Sequence, residues 1–241
     1  KSTDAPGDPP TRPIAMRECF VRITLIPSCQ DLRTEVRKVQ VKNGDGRVQL
    51  GVGVRNGCAT AAADINAVLA LDGNVFQKGD VKNAFQCSNR STTYDYILDS
   101  PPPVRCYASL WFVLYGLISI VILCTCAVAC GFVALFSAVG VAQGCTCGSD
   151  FFAFAIQAAA NEVNRAYPNQ ITRFIVDDVA IAGAIAAVAL AMDPWITLSF
   201  ALGLVSHPDK LVLVRGSTNM EGVRAGLPSG TPVADGGLSS Q

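Results

Sequence analysis

The sequence predicts a mixed α/β (α+β) domain in which an antiparallel sheet packs on helices. Three features lead to this prediction. Two short runs rich in β-branched residues enclose the adjacent acids Asp177 and Asp178, a pattern typical of a β-hairpin. An alanine-rich helix at 59–71 precedes a strand at 74–78. A further helix is indicated after Ser149, where apolar residues recur at helical spacing.

In chain order, the first elements are a tail, a helical stretch and a turn. Residues 1–11 are rich in Pro, Gly and Asp and predict a disordered tail. Between residues 18 and 38, apolar and arginine positions mix in a helix-like way, and Pro27 predicts a break. Residues 42–47 (KNGDGR) have the composition of a turn.

Two further helices are predicted along the chain, the first of them short. Asn89 opens this helix, which runs to Leu98 and is stopped by the prolines at 101–103. Ser149 and Asp150 predict the N-cap of the next helix. Its apolar stripe, which we expect to be core, consists of Phe152, Ile156, Ala159, Val163 and Tyr167.

Three carboxylates are candidates for chemistry. Asp80 follows the strand at 74–78, and Asp177 and Asp178 occupy the tight turn of the predicted hairpin. At a two-residue turn both side chains can lean toward one side and share a divalent cation, although a solvated Asp-Asp turn is the plain alternative. A third acid at a neighbouring strand end supplies the minimum set for two Mg²⁺ ions roughly 3.5–4 Å apart, the geometry of in-line phosphoryl transfer.

These acids belong to a wider pattern. The spacing Asp80-x-x-x-x-Phe85, followed some ninety residues later by x-x-Asp-Asp, resembles the palm of reverse transcriptases. Four further segments occur in the order of that family and are similar to its motifs: 12–18 (RPIAMRE), 49–58 (QLGVGVRNGC), 139–149 (VGVAQGCTCGS) and 202–210 (LGLVSHPDK). The resemblance is to the reverse transcriptases of non-LTR retrotransposons, with the site-specific elements of trypanosomatids the most similar.

The resemblance implies a polymerase-type palm with fingers. It divides the chain into a tail at 1–11, a fingers segment at 12–58, a palm at 59–216, and a flexible tail or truncated start of a thumb at 217–241. The implied activity is that of an RNA-directed DNA polymerase, a nucleotidyltransferase that uses an RNA template, a DNA primer and deoxynucleoside triphosphates. It would act inside the cell, in the nucleus on the genome, as part of a polyprotein that also has a thumb and an endonuclease.

The resemblance also assigns the metal site and the general acid. Two Mg²⁺ ions, or Mn²⁺ in their place, would be held by Asp80, the backbone of Val81, Asp177 and Asp178. Lys210 would be the general acid toward the leaving pyrophosphate, which requires it to lie near the phosphates. A solvated lysine after a proline turn is the alternative for Lys210.

Four more residues receive substrate-binding roles from the resemblance. Arg12 would contact the triphosphate, since a guanidinium matches phosphate oxygens. Phe85 would exclude a 2′-hydroxyl, although core packing is the ordinary role of such a residue. Gln143 and Gly144 lie in the loop that would contact nucleotide and template. The sequence departs from the family pattern at four positions, Arg17 for Gly, Thr146 for Pro, Cys147 for Leu and Ile175 for an aromatic residue.

Charge and cysteine content restrict the function classes further. The net charge is zero, but residues 1–60 carry ten Lys and Arg against six Asp and Glu, which suits a basic front part of a polymerase. The first fifteen residues are polar and contain four prolines, unlike a secretory signal, so we expect the ten cysteines to be reduced. The C-x-C pairs at 124–126 and 145–147 do not have the usual spacing of zinc ligands.

One stretch favours a different class of protein. Residues 110–142 are almost entirely apolar and long enough to span a membrane, so a small membrane protein with spans near 108–142 and 179–206 is an alternative. Against it, Gly116, Gly131 and Gly140 divide the stretch into pieces of strand length. A catalytically inactive remnant of a reverse transcriptase is a third alternative.

Overall fold

The computed structural model describes residues 19–42, 48–116, 119–125, 131–142, 144–207, 210–215 and 233–234. The helices in these residues are α1 Cys19–Lys42, α2 Gly57–Leu69, α3 Ala84–Cys87, α4 Arg90–Asp99, α5 Pro102–Arg105, α6 Ala108–Tyr115, α7 Gly148–Ala166 and α8 Ile185–Ala201. The strands are β1 Asn74–Gly79, β2 Val81–Lys82, β3 Ser119–Thr125, β4 Gly131–Ser137, β5 Ile171–Ile175, β6 Asp178–Ala184, β7 Val205–Ser206, β8 Val212–Arg215 and β9 Val233–Ala234.

The main sheet has five strands in the order β5-β6-β1-β8-β9. The first three pairings are antiparallel, whereas β8 and β9 run parallel. β9 lies in the segment for which a flexible tail or thumb start was predicted. β2 pairs with β7, and β3 pairs with β4, in two small antiparallel sheets. The predicted hairpin (β5 and β6) and the strand before Asp80 (β1) therefore lie side by side in the main sheet, with β5 at its edge.

Helices cover both faces of the main sheet because side chains alternate along its strands. One face packs on α2 through a small apolar cluster of Ile65, Leu69, Phe76, Ala180 and Ala182. The opposite face packs on α7 and α8, and there the ring of Phe174 lies 4.8 Å from that of Trp195. The predicted stripe of α7 is buried from Phe152 to Val163, while Tyr167 lies just beyond the helix and is half-buried. An antiparallel sheet packed on helices is thus confirmed.

The first helix does not break at Pro27, contrary to the sequence prediction. α1 continues through this residue to Lys42. Pro27 is exposed, while a stripe of apolar side chains at spacings of four, three and four is buried on both sides of it: Leu25, Cys29, Leu32 and Val36. Burial of this continuous stripe offsets the hydrogen bond that proline cannot make.

Two contacts fasten α1 to the start of α7. Cys29 and Cys147 form a disulfide with their Cα atoms 5.6 Å apart, contrary to the expectation of reduced thiols. Arg33 pairs with Asp150, whose side chain is fully buried. The N-cap of α7 is Cys147 rather than Ser149 or Asp150, because the Asp150 carboxylate accepts hydrogen bonds from Arg33 instead of capping the helix.

The apolar stretch at 110–142 is divided into separate elements. α6 ends at Tyr115, just before Gly116, β4 begins at Gly131, and Gly140 has a φ of 72° at the bend that follows β4. The second apolar stretch is divided between β6 and α8, and α8 runs through Pro194. Within the part of the chain that the structure describes, no helix has both the length and the apolar character needed to cross a membrane.

Candidate active site

The hairpin turn differs by one residue from the prediction. β5 and β6 are joined by a two-residue turn at 176–177, and the pairing closes with Ile175 opposite Asp178. Asp177 is therefore the second turn residue, while Asp178 is the first residue of β6. The register follows from burial: Val179 and Ile181 must face the core, which draws Asp178 into the strand. Both acidic side chains are half-buried.

Asp80 lies at the same end of the sheet. The ladder between β1 and β6 ends with Gly79 opposite Val179, so Asp80 and Asp178 are the next residues on two neighbouring strands. The chain then enters β2, and the backbone N–H of His207 donates to the carbonyl oxygen of Asp80 over 2.9 Å. This junction of two sheets positions Asp80 beside the hairpin.

Two lysines neutralise these carboxylates. Lys210 Nζ lies 2.5 Å from Asp80 Oδ2, although 130 residues separate the two in sequence. Lys78 Nζ lies 3.1 Å from Asp178 Oδ1, with both side chains nearly half exposed. Lys210 thus lies beside Asp80, a predicted metal ligand, and its role as the general acid stays a prediction. Lys78 was not predicted, but strand alternation places it on the same side of the chain as Asp80, and that signal could have identified it.

The predicted metal ligands are of the type that binds a divalent cation, but in this structure they are not arranged around a cation site. Carboxylate and carbonyl oxygens are the ligands that Mg²⁺ prefers. The Val81 side chain is buried, so only its backbone oxygen could serve as a ligand. No group of three or more His, Cys, Asp or Glu side chains in the described residues is arranged to hold a metal ion. A cation bound by Asp80 and Asp178 would therefore have to replace the ammonium groups of Lys78 and Lys210.

Phe85 packs against the core close to this site. It belongs to the short helix α3, which begins after Asn83, a residue in the left-handed conformation with a φ of 51°. The ring of Phe85 stacks on that of Phe152 with centroids 5.0 Å apart, and the side chain is half-buried. The structure thus gives Phe85 a packing contact, and its role as a sugar gate stays a prediction.

The start of the loop that contains Gly144 is hydrogen-bonded to α3. The Val141 N–H donates to the Phe85 carbonyl over 2.6 Å, and Gly140 N–H donates to Ser88 over 2.8 Å. Gly144 is exposed and has a φ of 90°, which suits a glycine. The loop that is predicted to contact the nucleotide therefore lies against α3, the helix that contains Phe85. Gln143 and Arg12 lie outside the described residues.

Arg90 is a further residue that sequence reasoning did not identify. Its guanidinium donates to the carbonyl oxygens of Gly140, Ser137 and Tyr115 at 2.7, 2.9 and 3.3 Å. It also lies over the Tyr115 ring, 5.5 Å from the centroid. Arg90 therefore ties the start of the loop at 140–144 to α4 and α6. The acceptors are three backbone carbonyls and the Ser137 hydroxyl, all within about fifty positions of Arg90 in the sequence, and no sequence pattern predicts such contacts.

Comparisons with known proteins give one kind of match. No protein-family model matches the sequence. No curated protein matches it either. Among solved structures, apo telomerase from Candida tropicalis truncated from its C-terminal domain is similar with a TM-score of 0.59 at 14% identity, covering 82% of this chain and 41% of that chain. Telomerase from Candida albicans in complex with the TWJ fragment of telomeric RNA has a TM-score of 0.54 at 13% identity, covering 81% of this chain and 36% of that chain. Telomerase from Candida tropicalis in complex with the same type of fragment has a TM-score of 0.59 at 12% identity, covering 80% and 34%.

At these identities the similarity shows the fold alone. The chain spans about two fifths or less of the length of these telomerase chains. The mixed α/β architecture described above, with its antiparallel sheet packed on helices, fits the polymerase palm-type fold of these structures. The chain therefore has a polymerase palm-type fold, as the sequence predicted.

Proposed function

We propose that this chain is the palm and part of the fingers of an RNA-directed DNA polymerase. The observation that carries the proposal is the meeting of Asp80, Asp178 and Lys210 at the end of adjacent strands in a palm-type fold. Asp177 in the adjoining turn supplies the third acid. Carboxylates at neighbouring strand ends, each with a lysine beside it, suit phosphoryl transfer, in which positioning and charge stabilisation supply most of the catalysis.

In this mechanism Asp80, Asp178 and the carbonyl of Val81 would hold two Mg²⁺ ions, with Asp177 as a further ligand. When bound, such cations activate the primer hydroxyl and stabilise charge on the attacking and leaving oxygens. Lys210 binds Asp80 in the absence of substrate. With a triphosphate present, its ammonium would turn to the leaving pyrophosphate and donate a proton to it. The exposed half of the Lys210 side chain leaves it free to make this movement.

The assignment to one class of reverse transcriptase rests on the motifs at 12–18, 49–58, 139–149 and 202–210. They favour the reverse transcriptase of a non-LTR retrotransposon, acting in the nucleus on an RNA template and a DNA primer. Thumb and endonuclease domains of the same polyprotein would complete the enzyme. In this assignment Arg12 contacts the triphosphate, and Gln143 with Gly144 contacts nucleotide and template.

Primer extension tests the proposal. The purified chain is incubated with an RNA template, an annealed DNA primer, deoxynucleoside triphosphates and Mg²⁺, and we expect template-dependent extension that a chelator stops. Because a thumb contributes to primer binding in polymerases, Mn²⁺ binding is measured in parallel by electron paramagnetic resonance. The proposal fails if the folded chain neither extends a primer nor binds Mn²⁺ at millimolar concentration.

A catalytically inactive reverse-transcriptase remnant is the second candidate function. The observation that favours it is that Asp80 and Asp178 each have a lysine where a cation would bind. A palm that retains nucleic-acid binding but holds its acids in ion pairs would bind a template and primer without extending the primer. Nucleic-acid binding without Mn²⁺ binding would identify this case.

The Lys78–Asp178 pair leads to a prediction about cation affinity. Lys78→Ala is expected to tighten Mn²⁺ binding about two- to fivefold, because an exposed ion pair is worth up to about 1 kcal/mol and the cation no longer has to displace it. Lys82→Ala, an exposed lysine on β2, removes the same charge nearby and serves as the control. Equal tightening in both variants would mean that only net charge matters.

Phe85 leads to a prediction about sugar selection. Phe85→Val is expected to raise ribonucleotide over deoxyribonucleotide incorporation by about tenfold or more, because a smaller side chain vacates the volume of a 2′-hydroxyl. Single-nucleotide extension measures the ratio. Phe152→Leu, which alters the ring that Phe85 stacks on, is the control for lost packing. Unchanged discrimination in Phe85→Val would leave Phe85 as a core residue only.

A further inference from the structure

The side-chain amide of Gln49 forms hydrogen bonds with the hairpin turn. Its Oε1 accepts from the N–H of Val176 at 3.1 Å and from the N–H of Gly51 at 2.9 Å. Its Nε2 donates to the carbonyl oxygen of Val176 at 3.3 Å. Gln49 is 1% exposed, so these bonds lie out of water. One buried amide therefore satisfies both backbone polar groups of Val176, the residue just before Asp177.

Val176 is a residue that needs such support. Its φ is 59°, in the left-handed region that β-branched residues rarely adopt. A two-residue hairpin turn often requires a positive φ at its first central position, which is why glycine is common there. Because this chain has valine instead, the turn conformation must be held by contacts from outside the hairpin.

The segment around Gln49 is docked firmly enough to hold the turn. Phe174 N–H donates to the Val48 carbonyl over 2.7 Å, and Leu50 N–H donates to the Phe174 carbonyl over 2.8 Å. A Cβ on Gly51 would come within 2.4 Å of the Val176 nitrogen, so the two backbones are in close contact there. The segment at 48–51 thus lines the β5 edge, where backbone hydrogen bonds hold it in close contact with the turn.

We propose that Gln49 is a positioning residue, which holds Val176 in the left-handed conformation and thereby fixes the direction of the Asp177 and Asp178 carboxylates. The inference rests on the proposed function of those two acids. It adds Gln49, which lies 127 positions upstream of the turn, to the residues on which the site depends, and Gln49 acts on the site only through Val176. Without the amide, Val176 should leave the left-handed conformation. The two carboxylates would then change direction and bind a shared cation less tightly.

Mn²⁺ binding to the full chain tests this role without relying on activity. Gln49→Met keeps the length of the side chain but removes its hydrogen bonds, and we expect Mn²⁺ affinity to fall about tenfold or more, as for other residues that orient metal ligands. Where extension is measurable, kcat should fall while the KM for template and primer stays unchanged. Gln77→Met, another buried glutamine in the neighbouring strand β1, should leave Mn²⁺ affinity unchanged.

A second substitution separates positioning from general stability. Glycine adopts a positive φ freely, so Val176→Gly in the Gln49→Met background should restore Mn²⁺ affinity to within about threefold of the unmodified chain. The same double variant decides the matter if Gln49→Met alone fails to fold. Normal affinity in Gln49→Met, or no recovery in the double variant, would overturn the inference. Absence of Mn²⁺ binding by the unmodified chain would instead overturn the proposed function, and this role of Gln49 with it.

Discussion

Asp80→Asn is expected to lower kcat/KM for template-directed primer extension by about 10³-fold or more, which corresponds to about 4 kcal/mol of transition-state stabilisation. An amide keeps the shape of the carboxylate but not its charge, and it binds divalent cations weakly. Asp177→Asn is expected to have a similar effect, since the turn residue is the further ligand at the same site. Both variants should unfold at the temperature of the unmodified chain, because neither side chain is part of the buried core.

The control for this result is Asp99→Asn at the exposed end of α4. It removes one negative charge far along the chain from the hairpin, and extension should continue at the rate of the unmodified protein. Single-nucleotide extension under substrate excess gives the rates for all three variants. If either Asp80→Asn or Asp177→Asn extended primers at more than about a tenth of the normal rate, that acid would not be a catalytic metal ligand.

Local sequence patterns predicted the elements that hold the site. The hairpin that follows residue 170 was recognisable from its two runs rich in β-branched residues, and burial does alternate along β1, the strand before Asp80. The position of the turn within the hairpin was wrong by one residue, since Asp177 and Asp178 suggested a polar turn while Val176 occupies its first position. A valine with a positive φ contradicts local preference, and only contacts with residues distant in sequence make it acceptable.

The contacts that complete the site join distant parts of the chain. Lys210 meets Asp80 across 130 residues, and Gln49 meets Val176 across 127. Resemblance to a known family placed Lys210 near the phosphates but did not predict its contact with Asp80, and composition and periodicity give no sign of either contact. The disulfide between Cys29 and Cys147 joins residues 118 positions apart, whereas the expectation of reduced thiols had rested on the lack of a secretory signal. Pairings of this kind are decided by packing of the finished fold rather than by local pattern.

Arg33→Ala is the substitution for which we expect the largest loss of stability. The Arg33 Nε lies 2.9 Å from Asp150 Oδ1, its Nη2 lies 3.1 Å from Oδ2, and Nη2 also donates to the Thr146 carbonyl at 3.2 Å. Removing the guanidinium leaves the buried Asp150 carboxylate without its counter-charge. Loss of one partner of a buried pair costs about 3–5 kcal/mol, and the 41% exposure of Arg33 places the expected loss near the lower end of that range.

The size of this loss should depend on pH. Burial raises the pKa of the Asp150 carboxyl above its ordinary value, and the hydrogen bonds and charge of Arg33 lower it in part. A carboxyl whose pKa is raised on folding stabilises the folded chain below its unfolded pKa of about 3.9, and this stabilisation is lost as pH rises through the folded pKa. Without Arg33 the folded pKa rises further. Arg33→Ala should therefore destabilise the protein more at pH 7 than at pH 4.

Urea unfolding at the two pH values measures this difference, with and without a reductant because the Cys29–Cys147 disulfide joins the same helices. Lys38→Ala is the matched control on α1, since its pair with Glu35 is exposed and should contribute less than about 0.5 kcal/mol. Asp150→Asn added to Arg33→Ala removes the unpaired charge and should recover stability at pH 7. Equal losses at pH 4 and pH 7, or no recovery in the double variant, would mean that lost packing of Arg33, rather than an uncompensated charge on Asp150, accounts for the effect.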